Sequence, residues 1–92
     1  MATMERGLDI DPARLGTLEL DGLWVPYIDL IDAEFLPMRV KIGRDEYGFE
    51  SSIVILGHGA VLPQKVRALR SAGKKPVIIE RPERYYVYVT PP

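Results

Sequence analysis

Apolar and polar positions begin to alternate at Thr17. Leu18 and Leu20 alternate with Thr17 and Glu19, Asp21-Gly22 interrupts, and Leu23-Trp24-Val25 resumes. Two alternating runs around Asp-Gly predict a β-hairpin over residues 17–28, because a type I′ turn needs positive φ and glycine accepts it at low cost. Pro26 has no N–H for a ladder, so the second strand is expected to lie at an edge or to end there. Alternation returns over residues 35–42, with Val40 and Ile42 on one face and Arg39 and Lys41 on the other. Residues 43–48 read as a loop longer than a tight turn. Residues 53–56, Ile-Val-Ile-Leu, are apolar throughout, which predicts a strand covered on both faces, central in the sheet or at a subunit interface.

Gly57-His58-Gly59 breaks that strand, with glycines able to take positive φ or a close backbone approach. A helix follows, with Pro63 suited to its start. At about 100° per residue, Val66, Leu69, Ala68 and Ala72 are assigned to one arc, and Arg67, Arg70 and Lys74 to an opposite one, within about 60° of one another. Lys65 lies near the apolar arc and must extend its ammonium past it. Gly73 marks the C-terminus, and Lys74 and Lys75 suit the negative end of the helix dipole. Residues 77–80 form the next strand, residues 81–84 a turn and residues 85–89 the closing strand. Tyr85, Val87 and Val89 share one face of it; Arg84, Tyr86, Tyr88 and Thr90 share the other. That second face could stack on bases or simply pack half-buried. Pro91 and Pro92 end the ladder.

Residues 1–16 show little periodicity and predict a loose N-terminal segment, save one helical turn that Asp11-Pro12 could start. Residues 29–34 fit either a strand or a capped helical turn. Together these elements predict a small α+β domain, mostly β, over residues 17–92, built of β-hairpins with one short helix in the C-terminal half. A chain of 92 residues buries only about two-thirds of its unfolded surface. Self-association, as a homodimer or larger homo-oligomer, would supply missing core. Trp24, the single tryptophan, is expected as a core or interface plug.

Net charge is −1, but it divides unevenly. Residues 1–50 carry five basic and eleven acidic side chains, a net −6; residues 51–92 carry seven basic and two acidic, a net +5. Such a division suits either an anionic partner for the second half or attraction between the halves. There is no cysteine, hence no disulfide, thiolate metal site or cysteine nucleophile. One histidine, His58, cannot build a typical zinc site. Asp29, Asp32 and Glu34 could do acid–base work only if burial split their pKa values, and nothing local predicts that burial. Neither a dinucleotide fingerprint nor a P-loop is present. The expectation is a non-enzymatic protein with no cofactor and no metal. No apolar run approaches the roughly 20 residues of a membrane helix, and the charged N-terminus does not read as a signal peptide; a cytoplasmic protein without membrane contact is expected.

The stretch GAVLPQKVRALRSAGKKPVIIERPERYYVYVTPP resembles the swapped-hairpin DNA-binding domain of AbrB, MazE and SpoVT-type proteins. Gly59, Pro63, Val66, Arg67, residues 77–79 and residues 85–89 occupy that family's positions: a strand ending in glycine, a helix with a hydrophobic residue then arginine, and two closing strands. The resemblance covers about half the chain, with residues 52–90 as the matching core. Ala60 stands where the family carries a basic residue, the glycine-to-proline spacing is one residue short, residues 53–56 are more apolar than a DNA-facing strand, and the acidic half lies outside it. The resemblance implies a small DNA-binding regulator or antitoxin-like module, a homodimer contacting duplex DNA. The candidate nucleic-acid-binding residues are Arg67, Arg70, Lys74, Lys75 and Arg84, acting by phosphate neutralisation. The alternative is an interaction or assembly module whose charged halves meet a protein partner, with no nucleic acid bound.

Overall fold

A computed structural model describes residues 7–57 and 59–92. Its elements are β1 (Leu8–Ile10), a 3-10 turn (Pro12–Arg14), β2 (Gly16–Leu20), β3 (Leu23–Asp29), β4 (Arg39–Ile42), β5 (Asp45–Val54), α1 (Val61–Ser71), β6 (Lys75–Arg81) and β7 (Arg84–Thr90). The described residues are α+β and mostly β, with one α-helix, as the patterning predicts. Hairpins alone do not describe it. All seven strands join one mixed sheet in the order β1-β4-β5-β7-β6-β3-β2, with β1·β4 and β3·β6 parallel.

Three tight turns build the antiparallel part. Asp21 and Gly22 both take positive φ, 53° and 84°, as a type I′ turn requires. The Gly22 N–H donates to the Glu19 carboxylate at 2.8 Å. Contrary to expectation, β3 is not an edge strand, lying between β6 and β2, and it runs past Pro26 to Asp29; its parallel register with β6 starts only at Tyr27, so the missing N–H falls outside that register. The loop expected over residues 43–48 is instead a two-residue turn at Gly43 (φ 64°) and Arg44, with Asp45 already opposite Ile42. Pro82 and Glu83 join β6 to β7.

The N-terminal stretch differs from its expectation. Asp11 does cap the helical turn, its carboxylate accepting from the Ala13 N–H at 3.0 Å. Leu8, Asp9 and Ile10, however, pair in parallel with Val40, Lys41 and Ile42, so residues 7–16 are held by the sheet rather than loose. Residues 1–6 lie outside the described residues.

β1 and β2 are at opposite edges of the sheet, yet only five residues separate Ile10 from Gly16. Seven flat strands would hold those edges about 29 Å apart at ~4.8 Å per gap. Six fully extended residue spacings reach only about 21 Å, so the sheet must curl. Its concave side gathers Ile10, Ile28, Leu30, Val40, Ile42, Val77, Ile79 and Tyr88 from β1 round to β3. Residues 30–38 fold against this side and are pinned twice. The buried Tyr88 hydroxyl donates to the Pro37 carbonyl at 2.6 Å. The Arg81 guanidinium donates to the carbonyls of Leu30 (3.1 Å), Ala33 and, at 3.5 Å, Glu34.

The convex side carries α1. Leu62, Pro63 and Val66 of the helix are buried, packing with Leu20, Val25, Ile78, Val87 and Val89. Burying Leu62 and Val66 stabilises by about 1.5–3 kcal/mol each. The arc drawn from the sequence needs correcting here. Ala68 and Ala72 are exposed, because they sit about 160° and 120° round the helix from Val66; Leu62 and Pro63, in the first turn, complete the buried arc. Gly73, φ 82°, closes the helix: its N–H donates to the Arg70 carbonyl and that of Lys74 to Leu69. This is a Schellman ending, and it requires glycine's left-handed conformation.

Two further expectations change. Residues 53–56 are not covered on both faces: Val54 is 45% exposed and Leu56 90%, and the strand ends at Val54. The strand covered on both faces is β6, where Val77, Ile78 and Ile79 are inaccessible. Trp24 is 60% exposed and therefore no core plug.

Candidate functional site

Helix α1 carries Lys65, Arg67 and Arg70 and no acidic residue. Arg70 and Arg67 lie about 40° and 100° round from Val66 on the helical wheel, and Lys74 follows Gly73, just past the helix end. The two arginines therefore flank the buried arc instead of opposing it. That flank faces the β2–β3 hairpin: the Arg70 guanidinium donates to the Trp24 carbonyl at 2.9 Å. Lys65, on the other flank, faces β5 and pairs with Glu50 at 3.4 Å.

The Lys74 ammonium donates to the Pro91 carbonyl at 3.1 Å. Arg67 and Lys75 are exposed, and among the described residues neither has a protein partner. Arg70 and Lys74 are thus oriented by neutral carbonyls, which fix direction without cancelling charge. Arg67, Arg70 and Lys74 are gathered along one flank and the C-terminal end of α1, whereas Lys75 opens β6 with the parity of Val77 and Ile79, on the face turned away from the helix. Arg84 is not with them. It shares the face of β7 with Tyr86 and Tyr88, opposite the helix, where its guanidinium donates to the Ser52 hydroxyl at 3.0 Å.

Tyr86 and Tyr88 offer no stacking platform. Tyr88 is buried, Tyr86 half-buried, and both meet the Phe49 ring, at centroid distances of 6.2 Å for Tyr86 and 5.8 Å for Tyr88. Burial pushes the Tyr88 hydroxyl up to about 12, with Tyr86 adding and Arg81 opposing. Tyr27 is raised further, first by burial and then by its hydrogen bond to the Glu80 carboxylate. These hydroxyls stay protonated and structural at neutral pH.

Asp29, Asp32 and Glu34 are exposed, and the Asp29 carboxylate is occupied by the Ile31 N–H at 2.9 Å. Among the described residues no cluster of three or more metal-ligating side chains occurs, and no helix is long and apolar enough to cross a membrane. His58 lies outside the described residues. Attraction between the two charged halves is slight: among the described residues, Lys65–Glu50 is the one ion pair joining them, and Arg39–Glu46 lies within the first half.

Arg81, which the sequence reading leaves in a turn, is the basic side chain most engaged by the fold. Only its position at the end of a hairpin strand, facing residues 30–34 across the sheet, distinguishes it. No known protein family, curated protein or solved structure matches this chain.

Proposed function

We propose that the chain is a non-enzymatic binding module that presents the basic flank of α1 to an anionic partner, and that duplex DNA is that partner. Three cations, Arg67, Arg70 and Lys74, stand together there, and among the described residues no carboxylate is bound to any of them. This uncompensated charge carries the reading. Buried in water-excluding contacts with phosphates, it would release condensed counterions and make affinity fall steeply with salt. The order strand, helix, hairpin over residues 52–90 is also that of the AbrB-type domain it resembles. Lys75 and Arg84 take no part, since they lie on the other face of the sheet.

The test is a duplex-binding titration at two salt concentrations, wild type against the Arg67→Ala/Arg70→Ala variant. Binding should weaken for every duplex sequence, and the salt slope should become shallower by about one unit per lost contact. Absence of wild-type binding at low salt defeats the DNA reading. The module then engages an acidic protein surface. Trp24 favours that second reading: it is exposed, and tryptophan is enriched among protein-interface anchors.

A further inference from the structure

β5 is ten residues long, but β4 covers only part of it. The β4 register ends at Gly48, while β7 follows β5 to Val54. Phe49 closes the covered part by donating its N–H to the Met38 carbonyl at 2.8 Å. A register shift between Phe49 and Ser51 follows, and, among the described residues, residues 51–54 then have a strand on one side only. The Ile55 N–H donates to Glu83 at 2.9 Å, toward β7. Antiparallel alternation therefore turns the N–H and C=O of Ser52 and Val54 to the open side.

Past the irregularity at Phe49–Ser51, this edge has no chemical protection. Residues 51–56, Ser-Ser-Ile-Val-Ile-Leu, hold no charge and no proline, the devices that normally blunt open strands. Its surroundings are apolar: Val54, Leu56 and Val61 at the start of α1 are 45%, 90% and 54% exposed. The outer edges of the sheet differ. β1 is only three residues long and β2 carries Glu19.

We infer that this edge pairs antiparallel with the same edge of a second copy of the chain, about a twofold axis at Val54. A twofold axis normal to a sheet allows only registers in which one residue faces itself, and the bonds of Val54 point outward as such a pair needs. Val54 then faces Val54 of the second copy, Ile53 faces Ile55, and Ser52 faces Leu56. Val54 and the Ile53–Ile55 pairs are thereby matched across the axis, with Ser52 and Leu56 at the ends, so the centre of the edge is its own complement. The inference is independent of whether DNA is bound, since its test contains none.

The test uses sedimentation of the full chain at tens of micromolar. Wild type should have twice the monomer mass. Val54→Lys and Val54→Glu should each be monomers, because like charges meet at the axis, with unchanged circular dichroism. Mixing the two should restore a one-to-one dimer. As a measurement that tolerates reduced stability, Val54→Cys should cross-link on oxidation, its Cα atoms being about 5.5 Å apart; Leu56→Cys should not cross-link to itself. A wild type that stays monomeric at several hundred micromolar overturns the inference. So does a Val54→Lys chain that remains dimeric, or cross-linking that is equal for the two cysteine variants.

Discussion

Replacing Tyr88 by Phe removes one oxygen and nothing else from the concave core. The ring keeps its edge-on contact with Phe49, and the side chain, 1% exposed, keeps its volume. What is lost is the 2.6 Å hydrogen bond to the Pro37 carbonyl. A typical internal hydrogen bond contributes about 0.5–1.5 kcal/mol net, but a buried carbonyl left without a donor costs about 1–3 kcal/mol. Tyr88→Phe should therefore destabilise by about 2 kcal/mol. At about 4–8 °C per kcal/mol for a domain of this size, Tm should fall by roughly 10 °C. Calorimetry or urea denaturation measures it. pH adds a second signature. The unfolded tyrosine loses its proton near pH 10, the folded one near 12. Between those values the unfolded state binds fewer protons, so stability falls as pH rises. Phenylalanine has no proton to lose. The gap between wild type and variant should therefore be full below pH 10 and narrow toward pH 12. A Tm unchanged within about 2 °C, or a gap constant across that window, would refute the assignment of Tyr88 as the donor that holds residues 30–38.

Arg81→Met should destabilise by about 2 kcal/mol in urea denaturation, since a charged donor to the carbonyls of residues 30–34 is removed. It should couple non-additively with Tyr88→Phe, because both pin one segment. Gly22→Val should cost on the order of 1 kcal/mol or more by thermal denaturation, a β-branched residue resisting φ of 84°; Asp21→Asn should be nearly neutral, asparagine tolerating the left-handed region.

Local chemistry made much of this fold legible. Asp21-Gly22 announced its hairpin, Gly73 the helix end, and alternation in β7 its two faces. What escaped depends on non-local neighbours. Leu8–Ile10 is three residues long, too short for a period to register, and its partner β4 lies thirty residues on. The apolar run at residues 53–56 says that no water-loving side chain is present, not that anything packs over it; β5 ends at Val54, and Val54 and Leu56 stay exposed. On α1 the buried arc begins at Leu62, in the turn counted as the helix entrance, and this displaced the arc drawn through Ala68 and Ala72. For the candidate site, the cationic residues of α1 were readable from spacing. Arg84 was not separable from them until the helix was seen to cover the opposite face of β7.

The five residues between β1 and β2 act as a bowstring across the curl. Their reach, not the twist of the strands alone, sets how tightly the sheet bends and how closely the concave residues meet. Lengthening them would carry little direct entropic cost, since loop closure grows only slowly with length. It would instead lift the upper bound on how far apart the edges can lie, and with it a constraint that keeps Ile10, Val40 and Ile42 packed with the residues of β3. Curvature in this protein is thus a property of chain length at one connection, adjustable without altering any side chain of the core.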